Sequence, residues 1–116
     1  MLRKIGVGIL VLTALGAALF SVACGEKSLS DITPAIGVAQ VSVEDNRYGP
    51  RVIQVAQGTE VTWTWEGDSD HNVVGEGFES ELQDEGTFSH TFETPGSYRY
   101  VCSLHGGMTG AVIVTE

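Results

Sequence analysis

Basic residues are scarce in this sequence. Against fifteen Asp and Glu there are six Lys and Arg, a formal net charge of −9, and none of the six lies between Arg51 and Arg99. Nucleic-acid binding needs a basic surface that releases phosphate counterions, so that class is excluded. Cysteine is nearly absent: Cys24 and Cys102 stand alone, which excludes a disulfide-dense scaffold. Long apolar runs are confined to the first twenty residues, and no segment beyond them keeps the 3.6-residue period of an amphipathic helix. A helical fold is thereby excluded as well.

The one long apolar run reads as a targeting segment. Arg3 and Lys4 form a basic start, and residues 5–20 are apolar but broken by Gly6, Gly8 and Gly16, short for a membrane span. Ser21, Val22, Ala23 and Cys24 then resemble a bacterial lipoprotein signal, in which the cysteine is lipidated and becomes the new N-terminus. An uncleaved N-terminal anchor would hold the chain on the same side of the membrane. Both readings give an extracytoplasmic, membrane-tethered protein. The chain thus divides into a signal peptide (1–23), a small polar tether (24–38) and a folded domain (39–116). Loss of Arg3 and Lys4 with the signal takes the formal charge from −9 to −11.

Within the domain the apolar residues alternate. Val41 and Val43 do so, as do Val61, Trp63 and Trp65 against Thr62 and Thr64, and Phe88, His90 and Phe92 against Ser89 and Thr91. These are half-buried strands. Between them stand turn signals: Tyr48-Gly49-Pro50, Gln57-Gly58-Thr59, Glu66-Gly67-Asp68 and Pro95-Gly96. Short strands with regular turns predict an all-β antiparallel sandwich. So small a domain is marginal by buried area, so tight packing or a bound metal must help it fold.

The chemistry is concentrated near the C-terminus. Tyr98, Tyr100 and Cys102 share the inner face of a strand, and His105 and Met108 follow Cys102 in a loop softened by Gly106 and Gly107 before the apolar strand 111–114. A thiolate, imidazoles and a weak thioether suit copper in the blue arrangement of two His, one Cys and a long axial Met. Structural zinc would want four Cys or His ligands. The second imidazole is expected from His71, which opens the short apolar strand Val73-Val74. His90, in mid-strand, is expected to be a structural histidine. A Cys24–Cys102 disulfide would consume both the processing site and the loop. A catalytic Cys102–His105 pair would lack an orienting third group and leave Met108 without a function.

Residues 41–116 resemble the cupredoxins, the small blue-copper proteins, in the branch of halocyanin, plastocyanin and amicyanin. The resemblance is carried by His71 followed by Asn72, the Thr94-Pro95-Gly96 turn, the aromatic strand into Cys102, and the terminal Gly110-Ala111-Val112 strand. The Cys102, His105, Met108 spacing, with two residues in each interval, is similar to the short amicyanin loop. The resemblance implies a Greek-key sandwich and one type I copper held by His71, Cys102, His105 and Met108. It implies that His105, set in an apolar patch, passes the electron, and that Asn72 ties the His71 loop to the residue after Cys102. Where plastocyanin-like loops commonly have Pro two residues after the Cys, this chain has Leu104. Its backbone N–H is expected to donate to the Cys102 sulfur and raise the potential. The surface Tyr often found before that Cys in plastocyanins is Val101 here.

The expected function is single-electron transfer between redox proteins by a monomer. Eight acids between Glu66 and Glu85 flank His71 and would steer a basic partner, although they also serve solubility. A copper chaperone or storage protein would want clustered Met and His, yet Met1 and Met108 are the only methionines. An enzyme such as a copper nitrite reductase would need a second site that three histidines cannot build. A metal-free binding sandwich would leave the Cys, His, Met spacing a coincidence.

Overall fold

The computed structural model describes residues 27–116; the expectations for residues 1–23 and Cys24 lie outside them. Among the described residues there are ten strands: β1 (Ala35–Ile36), β2 (Gln40–Glu44), β3 (Arg47–Gly49), β4 (Val52–Ala56), β5 (Thr59–Trp65), β6 (Val74–Gly75), β7 (Phe78–Glu79), β8 (Thr87–Phe92), β9 (Gly96–Val101) and β10 (Thr109–Thr115). A single 3₁₀ turn, Leu29–Asp31, precedes them. No helix among these residues is long and apolar enough to cross a membrane.

The strands form two sheets, one in the order β1-β4-β10-β9-β6-β7 and the other β3-β2-β5-β8. Alternation drives both onto a common core: β2 buries Val41 and Val43, β5 buries Val61, Trp63 and Trp65, and β9 contributes Tyr100. The Trp63 ring lies at its centre, edge-on to Tyr100 at 5.4 Å and stacked on Phe78 at 5.9 Å. The fold is the expected β-sandwich, and its neighbouring strands are mostly not consecutive in sequence.

Two features differ from the sequence reading. First, not every pairing is antiparallel: β1 with β4, β4 with β10 and β2 with β5 are parallel. Turn signals report only hairpin partners, whereas these strands meet after the chain has crossed between sheets, so their direction is set by the core and not by a local turn. Second, the sheet begins before residue 39. β1 adds to β4, and Ala35, Val38 and Ala39 pack against the core, so the end of the expected tether is part of the sandwich.

The parallel β2–β5 pair positions the site. Its register sets Val43 beside Trp65, so the segments leaving both strands emerge together at one end. The antiparallel β9–β10 pair, closed by Val101 opposite Thr109, holds residues 102–108 as a loop. The sandwich rests on buried aliphatic contacts between these strands. Ile53, fully buried on β4 and paired with Val112, should cost about 2–5 kcal/mol on change to Ala. Ile36, 73% exposed, should cost less than about 0.5 kcal/mol. Urea denaturation of the two variants checks the contrast.

Candidate metal centre

The Cys102–Met108 loop is shaped by its own backbone. The Cys102 N–H donates to Met108 O at 3.1 Å, and the Met108 N–H donates to His105 O at 3.1 Å. The second bond closes a tight turn over Gly106 and Gly107, and Gly107 takes φ +87°. Positive φ at the third turn position is what glycine alone adopts freely. That turn folds the chain back so that Cys102 (4% exposed) and Met108 (2% exposed) both point inward. His105 remains partly exposed.

His71 arrives from the segment between β5 and β6. It is fully buried and forms an isolated bridge to Gln83, its N–H donating to Gln83 O at 3.0 Å and its carbonyl accepting from Gln83 N–H at 3.1 Å. The same carbonyl accepts from Trp65 Nε1 at 2.9 Å, and the next one, Asn72 O, accepts from Tyr48 Oη at 2.6 Å. Burial, then the nearby Cys102, push the Tyr48 hydroxyl pKa well up, so it stays a donor. Donors thus fix the two carbonyls that follow the His71 side chain, and the bridge to Gln83 satisfies the N–H that precedes it.

Asn72 joins the two segments. Its Oδ1 accepts from Ser103 N–H at 2.8 Å and its Nδ2 donates to Ser103 Oγ at 2.9 Å, a two-bond tie between the His71 segment and the residue after Cys102. Across it, both imidazoles turn Nδ1 toward the sulfur: His71 Nδ1 stands 3.9 Å and His105 Nδ1 3.5 Å from Cys102 Sγ, with the ring centroids 4.7 Å apart. The ligand-type atoms of His71, Cys102 and His105 all lie within 4.8 Å of one another. Cys102 forms no disulfide among the described residues. One buried thiol, two imidazole nitrogens and a buried thioether in the same loop are the donor set that fits copper, and they do not fit a four-ligand structural zinc.

The other sequence-derived residues sit elsewhere. His90 is on β8, stacked on Phe78 at 5.1 Å and edge-on to Phe92 at 4.8 Å, outside the cluster. The Leu104 side chain turns outward, 54% exposed, and the side-chain partners of Cys102 Sγ are the two Nδ1 atoms. Val101 is exposed as well. Of the acids, Asp68 and Asp70 precede His71, and Glu81, Asp84 and Glu85 flank the Gln83 that bridges to it; all five are exposed. Beside Met108 the sign reverses, where Lys27, Arg47 and Arg51 line an open cavity.

Sequence reasoning missed Asp45. It lies in the two-residue turn between β2 and β3, and its Oδ1 stands 3.1 Å from His71 Nε2. The Asp45-Asn46 pair, with Asn46 at φ +71°, is a hairpin signal that locates the turn but not what the turn faces.

The sequence profile described as copper binding proteins, plastocyanin/azurin family, matches residues 37–115. A halocyanin of Natronomonas pharaonis is 43% identical over 100 residues, 72% of this chain and 61% of that protein. The chain therefore spans less than two thirds of that relative's length. Amicyanin-alpha of Methylorubrum extorquens is 30% identical over 106 residues, 84% of this chain and 88% of that one. Among solved structures, the purple cupredoxin of Nitrosopumilus maritimus is similar with a TM-score of 0.63 at 29% identity, over 66% of this chain and 99% of that one.

The hydrogen bond with His71, then those from the Asp68 and Ser69 N–H groups, lower the Asp45 pKa from an ordinary 3.8 to about 2. A carboxyl whose pKa falls on folding stabilises the fold fully above its unfolded value and loses that contribution as pH falls through its folded value. Stability of the metal-free protein should therefore decline between about pH 4 and pH 2, and Asp45→Asn should flatten that decline. Urea midpoints measured across this range check it.

Proposed function

The chain belongs to the plastocyanin/azurin family of copper-binding proteins, and from that premise we propose that it is a monomeric, extracytoplasmic carrier of single electrons, tethered at a membrane. His71, Cys102, His105 and Met108 are arranged as a type I copper site. The convergence of two imidazoles on one buried thiol is the observation that carries the reading.

Bound copper supplies a one-electron Cu(I)/Cu(II) couple, in a ligand set intermediate between the preferences of the two states. The rest is the work of the chain. Cys102 gives up its thiol proton on binding, and His71 and His105 bind as neutral rings, so acid loosens the site. The Asn72–Ser103 tie, the Trp65 and Tyr48 donors and the 105–108 turn hold the side chains in one arrangement, so little has to move when charge changes. His105 is the partly exposed imidazole, beside the exposed Leu104, Gly106 and Gly107, and it is where a redox partner makes contact. The acids flanking His71 favour a basic partner on that side, against the cations beside Met108. The reading is of a carrier and not of an enzyme: the third imidazole, His90, is engaged with Phe78 and Phe92. The tether is supported by Arg3, Lys4, the apolar residues 5–20 and Cys24.

Copper(II) added to the purified protein should give an intense blue band and narrow copper hyperfine splitting. Both should be bleached reversibly by ascorbate and lost in His71→Ala. An ordinary tetragonal spectrum would overturn the copper assignment. For the tether, a labelled fatty acid fed to cells that express the protein should mark it through Cys24 and leave Cys24→Ser unmarked; an unmarked parent protein in the membrane fraction would point to an uncleaved anchor.

A further inference from the structure

We propose that Asp45 is the positioning residue of the site: it holds the buried His71 ring as the Nε2–H tautomer with Nδ1 facing Cys102, in the metal-free fold. The inference rests on the copper reading above for its consequence, and on geometry alone for its premise.

His71 is fully buried, so each ring nitrogen needs a partner inside the protein. Nδ1 faces Cys102 Sγ at 3.9 Å, and Nε2 faces Asp45 Oδ1 at 3.1 Å. An ionised carboxylate only accepts, so in an imidazole that carries one proton that proton is drawn to Nε2 and the Nδ1 lone pair is left toward the thiol. The carboxylate is itself fixed. Its Oδ1 accepts from the Asp68 and Ser69 N–H groups, both at 3.0 Å, and Oδ2 accepts from Asp68 N–H at 3.1 Å. The backbone is shaped for this approach at Gly67, where any Cβ would stand 2.7 Å from Asp45 N and collide with Asp45 Oδ1. The 67–69 segment can lie against Asp45 only because that residue has no side chain.

Parallel pairing explains why a turn so remote in sequence can do this. β2 and β5 run the same way, and the chain leaving β5 stays on β2's end, with Glu66 N–H donating to Val43 O at 2.9 Å. Asp45 therefore meets the segment leading into His71 before the ligand itself is reached. A carboxylate oriented by two backbone donors and aimed at the far nitrogen of a ligating histidine fixes ring orientation and tautomer together.

The direct test is nitrogen-15 NMR of the histidine rings in the metal-free protein, recorded at rising pH until the ring shifts no longer change, so that the tautomer of the neutral ring is what is read. His71 should show a protonated Nε2 and an unprotonated Nδ1, and a protonated Nδ1 would overturn the proposal without any variant being made. In folded Asp45→Ala the single tautomer should give way to a mixture, while Asp45→Asn, whose amide oxygen can still accept, should retain the Nε2–H form. Unchanged ring shifts in Asp45→Ala would show that the carboxylate only supports the 67–69 turn, and would also overturn it. With copper, Asp45→Ala should bind about 10- to 100-fold more weakly than the unmodified protein. An unchanged affinity is a third overturning result. Should the unmodified protein form no blue site, the copper reading falls, while the ring tautomer still decides the role of Asp45.

Discussion

A fully buried imidazole is the constraint on which the site depends. His71 has no access to water, so every polar group it brings inside must be answered by the protein. The answers come from five places. Gln83 bridges its backbone, Trp65 and Tyr48 donate to successive carbonyls, Asn72 reaches Ser103, and Asp45 meets the ring. Each bond is modest alone, but a buried group left unpaired costs about 1–3 kcal/mol. The segment therefore has one well-satisfied arrangement, and that arrangement delivers Nδ1 to the thiol. The geometry of the ligands is a by-product of hydrogen-bond bookkeeping around one side chain.

Legibility of the site tracked distance along the chain. Cys102, His105 and Met108 lie within one hairpin loop, so period two in β9 and the Gly106-Gly107 turn were enough to bring them together. His71 and Asn72 are legible from ligand chemistry and a family pattern, because residue types and their order survive in sequence. Asp45 could not be reached that way. Its partner lies across a parallel pairing of β2 with β5, two strands separated by β3 and β4, and nothing local encodes that neighbour. The same physics hid β1. Its two residues owe their strand form to the edge of β4 and carry no alternation of their own.

The two faces of the site do different chemical work with the same loop. Leu104, Gly106 and Gly107 stand outward, while Cys102 and Met108 stand inward, so a short glycine-bearing hairpin separates a dry sulfur pair from an accessible imidazole edge. The charges are divided along the same end of the molecule: acids toward His71, and three of the four described cations, Lys27, Arg47 and Arg51, beside Met108.

The path by which the chain enters the sandwich bears on that end. Arg51 clasps it, donating from Nη1 to Lys27 O at 3.0 Å and from Nη2 to Thr109 Oγ1 at 2.8 Å, beside the metal loop and not at the opposite pole. Thr109 opens the strand that follows the ligand loop, so through Arg51 a pull on the entering chain is passed to the base of that loop.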